Sequence, residues 1–425
     1  MPETFWLETL GCPKNQVDSD KLAGTLVADG YEAAGGPEDA DLVVVNTCAF
    51  IEAARQESID TILDLADSRR AGSRLVVTGC LAERYGPELS EALPEVDLVA
   101  GFGVPVTLRR RNAFDLLNLP RPAAQAPWAY VKVAEGCDRR CGFCAIPSFR
   151  GRQRSRPTDS VLDEVDALGD GVREVVLVAQ DLASWGLDRS AADRVPRTRG
   201  TPRPIVELIR AVAGRVERVR LLYLYPSALD DELVDTIVAS GVPYFDLSLQ
   251  HVSRPLVERM RRWGDGTRFL ERIARIRTTA PDAALRSSFI LGYPGETEED
   301  HDALLDFLAE ARLDWAGFFT FSEEPGTYAA GLGDAVPREL ALERLRECSE
   351  VQDRITAERR AALVGTTMRV LVDGPGAARS HREAPEIDGI VHVPATLEAG
   401  HLLDVVATGA AGPDLWADMA GPVDR

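Results

Sequence analysis

From Phe5 to Phe321 short apolar runs alternate with amphipathic stretches, and no other feature narrows the possible folds of this chain as much. A strand that lies parallel to its predecessor must first cross back over the sheet, so such alternation implies parallel strands with helices on their faces. In the first hundred residues strands are expected at 5–10, 41–46 and 74–78, with helices at 17–29, 51–66 and 82–93. After a proline-containing linker at 119–128 the alternation resumes. Strands at 129–133, 174–178, 219–224, 244–249, 285–290 and 317–321 suggest an incomplete barrel of six β/α units. A charged helix follows from Arg338 to about Leu363. The remainder, with strand-like runs at 368–372, 389–393 and 402–407 between glycine and proline turns, has the pattern of a small antiparallel β-barrel of OB-like kind. The expected fold class is thus α/β: an open parallel sheet at 1–118, a six-unit barrel at 123–356 and a small β-barrel at 357–425. A length of 425 residues agrees with several cores.

Chemistry concentrates at the ends of these strands. Residues 137–144 read Cys137-Asp-Arg-Arg-Cys141-Gly-Phe143-Cys144, and the loop follows the first barrel strand, at the edge where barrel enzymes place their reactive groups. Three clustered thiolates suit a soft metal centre. A structural zinc site wants four closed ligands, and no fourth cysteine or histidine lies nearby. A four-iron cluster on three cysteines keeps one iron open. A zinc loop that borrows a distant fourth ligand is the alternative. Cys12, Cys48 and Cys80 each fall just beyond an N-terminal strand, and in an open parallel sheet those three positions share the carboxyl edge. They form either a second iron–sulfur site or three buried packing thiols. Cys348, alone in a charged helical stretch, is read as a bystander.

Seven cysteines without a secretory signal argue for reduced thiols and against a disulfide framework. The first residues carry acids and no basic n-region, no apolar run reaches membrane-spanning length, and a cytoplasmic protein with no membrane partner is expected. Formal charge is −20, which repels bulk nucleic acid and favours a basic partner. Lysine is rare, at Lys14, Lys21 and Lys132 only. Gly101-Phe-Gly103 lacks the rest of a dinucleotide loop and is read as a turn. Thr297 to Asp300 has the form of a capping box, and Gly292-Tyr-Pro-Gly295 before it either makes a turn or lines a pocket. The arginine-rich stretch 186–204 is a solvated loop or touches a partner. His381, His392 and His401 lack metal spacing and are expected at the surface or in turns.

Leu10-Gly-Cys12-Pro-Lys-Asn15-Gln-Val-Asp18-Ser19, Val45-Asn46-Thr47-Cys48, Thr78-Gly79-Cys80-Leu81 and Glu135-Gly136-Cys137 through Arg150-Gly151 resemble the methylthiotransferases of the radical S-adenosylmethionine (SAM) superfamily. The resemblance covers essentially the whole chain, with a TRAM domain as its last part. It implies two 4Fe–4S clusters, one on Cys12, Cys48 and Cys80 and one on Cys137, Cys141 and Cys144, the second binding SAM. Phe143, Gln180, Asp181 and Gln250, beside the cysteine loop or at strand ends on the same edge, are the candidate SAM contacts. Pro13, the stretch Glu57 to Leu63 and Ala384-Pro-Glu-Ile-Asp-Gly389 look like the branch that acts on an aspartate of ribosomal protein S-twelve. Ala49 departs from that branch, where glycine is common, without touching a ligand.

The resemblance implies that SAM is split to a 5′-deoxyadenosyl radical, that the radical takes a hydrogen from the aspartate β-carbon, and that a methylated sulfur from the other cluster is joined there. The product would be 3-methylthioaspartate, with external electron and sulfur donors and the free ribosomal protein or the ribosome as partner. A monomer is expected. The rival substrate is an isopentenyl-adenosine in transfer RNA. From Gly365 to Arg425 nine acidic residues stand against four arginines, which suits a basic protein better than RNA. Glu383, Glu386 and Asp388 are the expected partner contacts.

Overall fold

The computed structural model describes residues 2–107, 115–188 and 203–420, so most of the arginine-rich stretch 186–204 lies outside the described residues. The first unit comprises β1 (Thr4–Thr9), α1 (Pro13–Ala28), β2 (Glu32–Ala33), β3 (Leu42–Thr47), α2 (Glu52–Ser68), β4 (Arg74–Gly79), α3 (Cys80–Ala92) and β5 (Leu98–Ala100). These strands form a parallel sheet in the order β2-β1-β3-β4-β5. Every residue of β3 is buried, as its continuous apolar run requires of a central strand covered on both faces.

The second unit runs β6 (Trp128–Lys132), β7 (Ala134–Glu135), α4 (Ile146–Arg150), β8 (Arg154–Ser155), α5 (Thr158–Ala167), β9 (Glu174–Val178), α6 (Pro204–Ala213), β10 (Arg218–Leu221), α7 (Asp231–Ala239), β11 (Tyr244–Gln250), α8 (Arg254–Arg259), α9 (Gly266–Thr279), β12 (Ala284–Leu291), α10 (Glu298–Ala311), β13 (Trp315–Thr320) and α11 (Arg338–Ala361). Two parallel three-stranded sheets, β10-β9-β6 and β11-β12-β13, meet through one parallel bridge between Leu224 and Leu247. The result is an open arc of six long strands. The linker before β6 is irregular but not loose: Arg121 bonds the Tyr130 carbonyl and pairs with Asp20, and Lys21 donates to the Leu117 carbonyl at 2.6 Å. Among the described residues no helix is long and apolar enough to cross a membrane.

The capping box on α10 forms as the sequence suggests. The Thr297 hydroxyl accepts from the Asp300 amide and Asp300 accepts from the Thr297 amide. Thr297→Ala should therefore cost about 1 kcal/mol, seen as a lower thermal midpoint with iron content unchanged.

The last unit is a closed barrel of β14 (Thr367–Gly374), β15 (Ala377–Arg379), β16 (Val391–His392), β17 (Leu402–Ala411) and β18 (Asp414–Met419). It is antiparallel except for the parallel pairing of β16 with β18, a departure from the purely antiparallel expectation. Its segment 379–388 closes the amino end of the large barrel. Ala384 and Ile387 pack with Tyr130, Val176, Leu222, Tyr244 and Trp315. Tyr130 donates to the Pro385 carbonyl at 2.8 Å, and Trp315 Nε1 to the Arg382 carbonyl at 2.6 Å. At the other end Val17 of α1 joins the same apolar cluster, so both neighbouring units stop the barrel's interior.

This arrangement corrects the expected partner contacts. Glu383 is fully buried, pairs with Arg360 at 2.5 Å and accepts from the Ser380 hydroxyl. Asp388 accepts from the Tyr244 hydroxyl at 2.6 Å and pairs with Arg286 at 3.4 Å. Burial, partly offset by Arg286, raises its pKa to about 6. Neither side chain faces outward; of the three, only Glu386 is exposed. Their charges hold the C-terminal barrel on the chain's own core.

Candidate active site

Parallel pairing sets Thr9 against Asn46 and Asn46 against Thr78, so the carboxyl ends of three adjacent strands lie level. Cys12 follows the first by three residues, Cys48 and Cys80 the other two by two each. Cys12 caps α1 and Cys80 is the first residue of α3, while Cys48 lies in the loop before α2. Gly11 stands at φ +95°, and a Cβ there would come within 3.0 Å of the Cys48 sulfur. Only glycine lets the chain turn so close to a second cysteine. The expected convergence of the N-terminal triplet is present in the backbone.

The other triplet occupies the loop that β7 and β8 close by antiparallel pairing. Gly136, at φ +76°, would drive a Cβ into the Arg152 carbonyl at 2.2 Å, so this position too requires glycine. The loop is pinned from the far side of the barrel: Gly142 donates to the Met260 carbonyl, and Ala329 donates to that of Gly142, both at 2.8 Å. Arg262 lays a guanidinium nitrogen 3.1 Å from the Cys141 sulfur.

Burial dominates the thiols. It pushes Cys48 up to about 12, with Cys80 and Cys12 adding to the shift, and it raises Cys80. Burial also pushes Cys137 to about 11 and Cys144 to about 12. Cys12 is the exception: burial opposes ionisation, but Lys14, Arg150 and two backbone amides outweigh it. Such thiols become thiolates when a cation takes the proton's place. Among the described residues no three Cys, His, Asp or Glu side chains converge tightly enough to hold one metal ion. Each set offers three thiols and, among the same residues, no fourth protein ligand, and that donor chemistry fits a 4Fe–4S centre with one open iron better than a closed four-ligand zinc site.

The two triplets are joined by a buried ionic network that the sequence alone does not reveal. Arg150, at the end of α4, donates to the Cys80 sulfur at 3.0 Å and to Asn15 at 2.7 Å, both in the N-terminal unit. Its other nitrogen bonds Glu135 at 2.9 Å. Lys132 bridges Glu135, at 2.8 Å, to Asp18 of α1. Against the cost of burial, Arg150 and Lys132 hold Glu135 ionised far below the usual carboxylate range. Glu135 lies two residues before Cys137, so one network touches the supports of both triplets. On the opposite side Arg55 and Arg84, from α2 and α3, both clasp Glu324 beyond β13. Arg150 and Glu135 stand within the motifs singled out above; the contacts of Arg150 with Cys80 and Asn15, and of Lys132 with Asp18, cross between the units and leave no local trace in the sequence.

The expected SAM contacts share the carboxyl edge but differ in freedom. Gln180 donates to Glu135 at 2.7 Å, leaving its carbonyl oxygen without a partner. Asp181 is buried and engaged by Arg139 at 2.6 Å, beside a cavity of about 600 Å³. Gln250 ends β11 in the left-handed region at φ +74°. Phe143 packs against the small cluster of Leu256, Met260, Tyr293 and Ala329. His251 is fully buried, and burial lowers its pKa to about 4, so it is neutral. Cys348 is buried within α11, far from both triplets in sequence.

Family models match three segments: "Uncharacterized protein family UPF0004" at residues 4–101, the Radical SAM superfamily at 131–308 and a TRAM domain at 364–419. Curated relatives match nearly end to end. The chain is 43% identical over 408 residues to "Ribosomal protein uS12 methylthiotransferase RimO" of Moorella thermoacetica, covering 91% of each chain. Proteins of the same name from Cutibacterium acnes and Aquifex aeolicus are 39% and 40% identical, covering 98% and 96% of this chain and 98% and 95% of theirs. Among solved structures, a radical S-adenosylmethionine methyltransferase, TsrM, from Kitasatospora setae aligns over 94% of this chain and 83% of its own at 16% identity and a TM-score of 0.48, too remote to bear on function.

Proposed function

We propose, since the chain belongs to the RimO family of radical SAM methylthiotransferases, that it methylthiolates the β-carbon of an aspartate in ribosomal protein uS12. The observation that carries this reading is the meeting of two cysteine triplets at one barrel mouth, with Arg150 reaching from the unit of one triplet to a sulfur of the other.

Cys137, Cys141 and Cys144 would hold the cluster that binds SAM, and Cys12, Cys48 and Cys80 the second. Together these groups supply what no side-chain base can, hydrogen removal from an unactivated carbon and the sulfur that replaces it. The protein's part is placement. The β7–β8 pair and the contacts of Gly142 fix the first loop, level strand ends fix the second set, and the Glu135 network sets the distance between them. Cys48 and Cys80 are buried, whereas Cys12, Cys137, Cys141 and Cys144 are only half-buried, which leaves the mouth between the triplets open to a substrate. Phe143, Gln180 and Gln250 are the proposed borders of SAM, with Asp181 acting by holding Arg139.

The surface supports the protein substrate over transfer RNA. Glu386, Glu398, Asp404 and Asp418 are exposed on the C-terminal barrel, against Arg369 as an exposed cation there. A face of that sign repels phosphate and accepts a basic protein. The reading further includes a cytoplasmic location, external electron and sulfur donors, and a monomer. Mass spectrometry of uS12 from cells with and without this gene tests it: the methylthio increment on one aspartate should vanish with the gene. If uS12 is unchanged and a transfer-RNA adenosine loses its methylthio group instead, the substrate is the nucleic acid.

A further inference from the structure

Two of the chain's three lysines are fully buried in ion pairs, Lys21 with Glu164 at 3.0 Å and Lys132 with Asp18 and Glu135. Lys14 differs. It lies in the first turn of α1, two residues beyond Cys12, and is only half-buried. Its ammonium stands 3.6 Å from the centre of the Tyr223 ring, and among the described residues no carboxylate pairs with it. Tyr223 follows β10 at the carboxyl end of the barrel, held in the left-handed region at φ +65° with its amide on Asp246. Lys14 therefore projects from the N-terminal unit into the mouth of the barrel, between Cys12 and the strand ends.

The neighbouring cations are committed elsewhere: Arg139 to Asp181, Arg150 to Glu135, Arg262 to the Cys141 sulfur and the Ser248 carbonyl. A cation resting on an aromatic face gains about 1–2 kcal/mol in a partly desolvated site, less than a close carboxylate offers, so the contact exchanges readily. On the function proposed above, the group that must enter this gap is an aspartate whose reacting carbon is one bond from a carboxylate. In a chain of net charge −20 that carboxylate needs a local cation to enter at all. We infer that Lys14 is a substrate-binding and specificity residue, and that its ammonium pairs with the side-chain carboxylate of the target aspartate. Pairing would fix the β-carbon between the two triplets and reject asparagine at that position.

The test uses the anaerobically reconstituted full-length protein, with uS12 and a uS12 variant carrying asparagine at the target aspartate as probes. Wild type should bind the aspartate form more tightly, by about ten-fold or more as expected of a charged hydrogen bond. Lys14→Gln should bind both forms alike at unchanged iron content, and Lys14→Arg should keep the preference. If Lys14→Gln retains the full preference, or if its only effect is loss of iron, the inference is overturned. Wild type that neither binds nor modifies uS12 overturns the substrate reading and this inference together, which separates the two failures.

Discussion

Replacing Cys137, Cys141 and Cys144 together by alanine should lower iron and sulfide from about eight each to about four each and abolish reductive cleavage of SAM. The complementary triple variant at Cys12, Cys48 and Cys80 should show the same halved iron content, keep SAM cleavage and lose methylthio transfer. The asymmetry follows from where the triplets sit. The loop 137–144 belongs to the barrel and is pinned by Met260 and Ala329, contacts that do not involve the N-terminal sheet. The N-terminal triplet stands on strand ends of its own sheet and reaches the barrel through Arg150. Metal and sulfide analysis with a SAM-cleavage assay decides the matter. Full iron content in the barrel variant would sink the assignment of those cysteines, and methylthioaspartate formed by the other variant would make Cys12, Cys48 and Cys80 structural.

How far the sequence could be read depended on the range of the interaction. Strand positions came from short apolar runs, and they placed Cys12, Cys48 and Cys80 at one edge because parallel pairing levels strand ends. The Thr297 capping box is likewise a matter of four residues. Pairing between residues far apart left no such trace. Glu135 and Arg150 are visible as parts of a motif, but that Arg150 would touch Cys80 depends on how two units dock. Charge in the last unit misled for the same reason. Asp373, Glu383 and Asp388 count as surface acid in a composition, yet each is spent on an arginine inside the fold: Arg379, Arg360 and Arg286. The acidity of that barrel survives in other residues, Glu398, Asp404 and Asp418, which are exposed.

Glu174→Gln should destabilise the chain by about 3–5 kcal/mol and loosen the C-terminal barrel first. Glu174, the first residue of β9, is fully buried among three guanidinium groups, with Arg220 at 2.7 Å, Arg379 at 3.2 Å and Arg218 at 3.9 Å. Arg218 and Arg220 also donate to carbonyls of Arg379 and His381, so this carboxylate neutralises the cations that fasten the closing segment 379–388. Glutamine keeps the shape and removes the charge. Arg379 would retain Asp373, but Arg218 and Arg220 would be left buried beside a third like charge. Arg218 already shows the strain of crowding: burial, with Arg220 and Arg379, lowers its pKa to about 10 despite Glu174. Burial works against ionisation of Glu174 too, but Arg220, Arg379 and Arg218 bring its pKa down from 4.5 to about 2. A carboxyl depressed in the folded state contributes stability above its unfolded pKa, and that contribution is lost as pH falls from 4.5 towards 2. The shift corresponds to about 3 kcal/mol, of the same order as the cost expected for the variant. Limited proteolysis and thermal unfolding at neutral pH should show early release of residues beyond α11 in Glu174→Gln, and the variant should lack the wild type's extra acid sensitivity below pH 4.5. Equal stability of the two proteins at neutral pH would mean that the closing segment is held by its apolar contacts with Tyr130, Tyr244 and Trp315 and not by this charge.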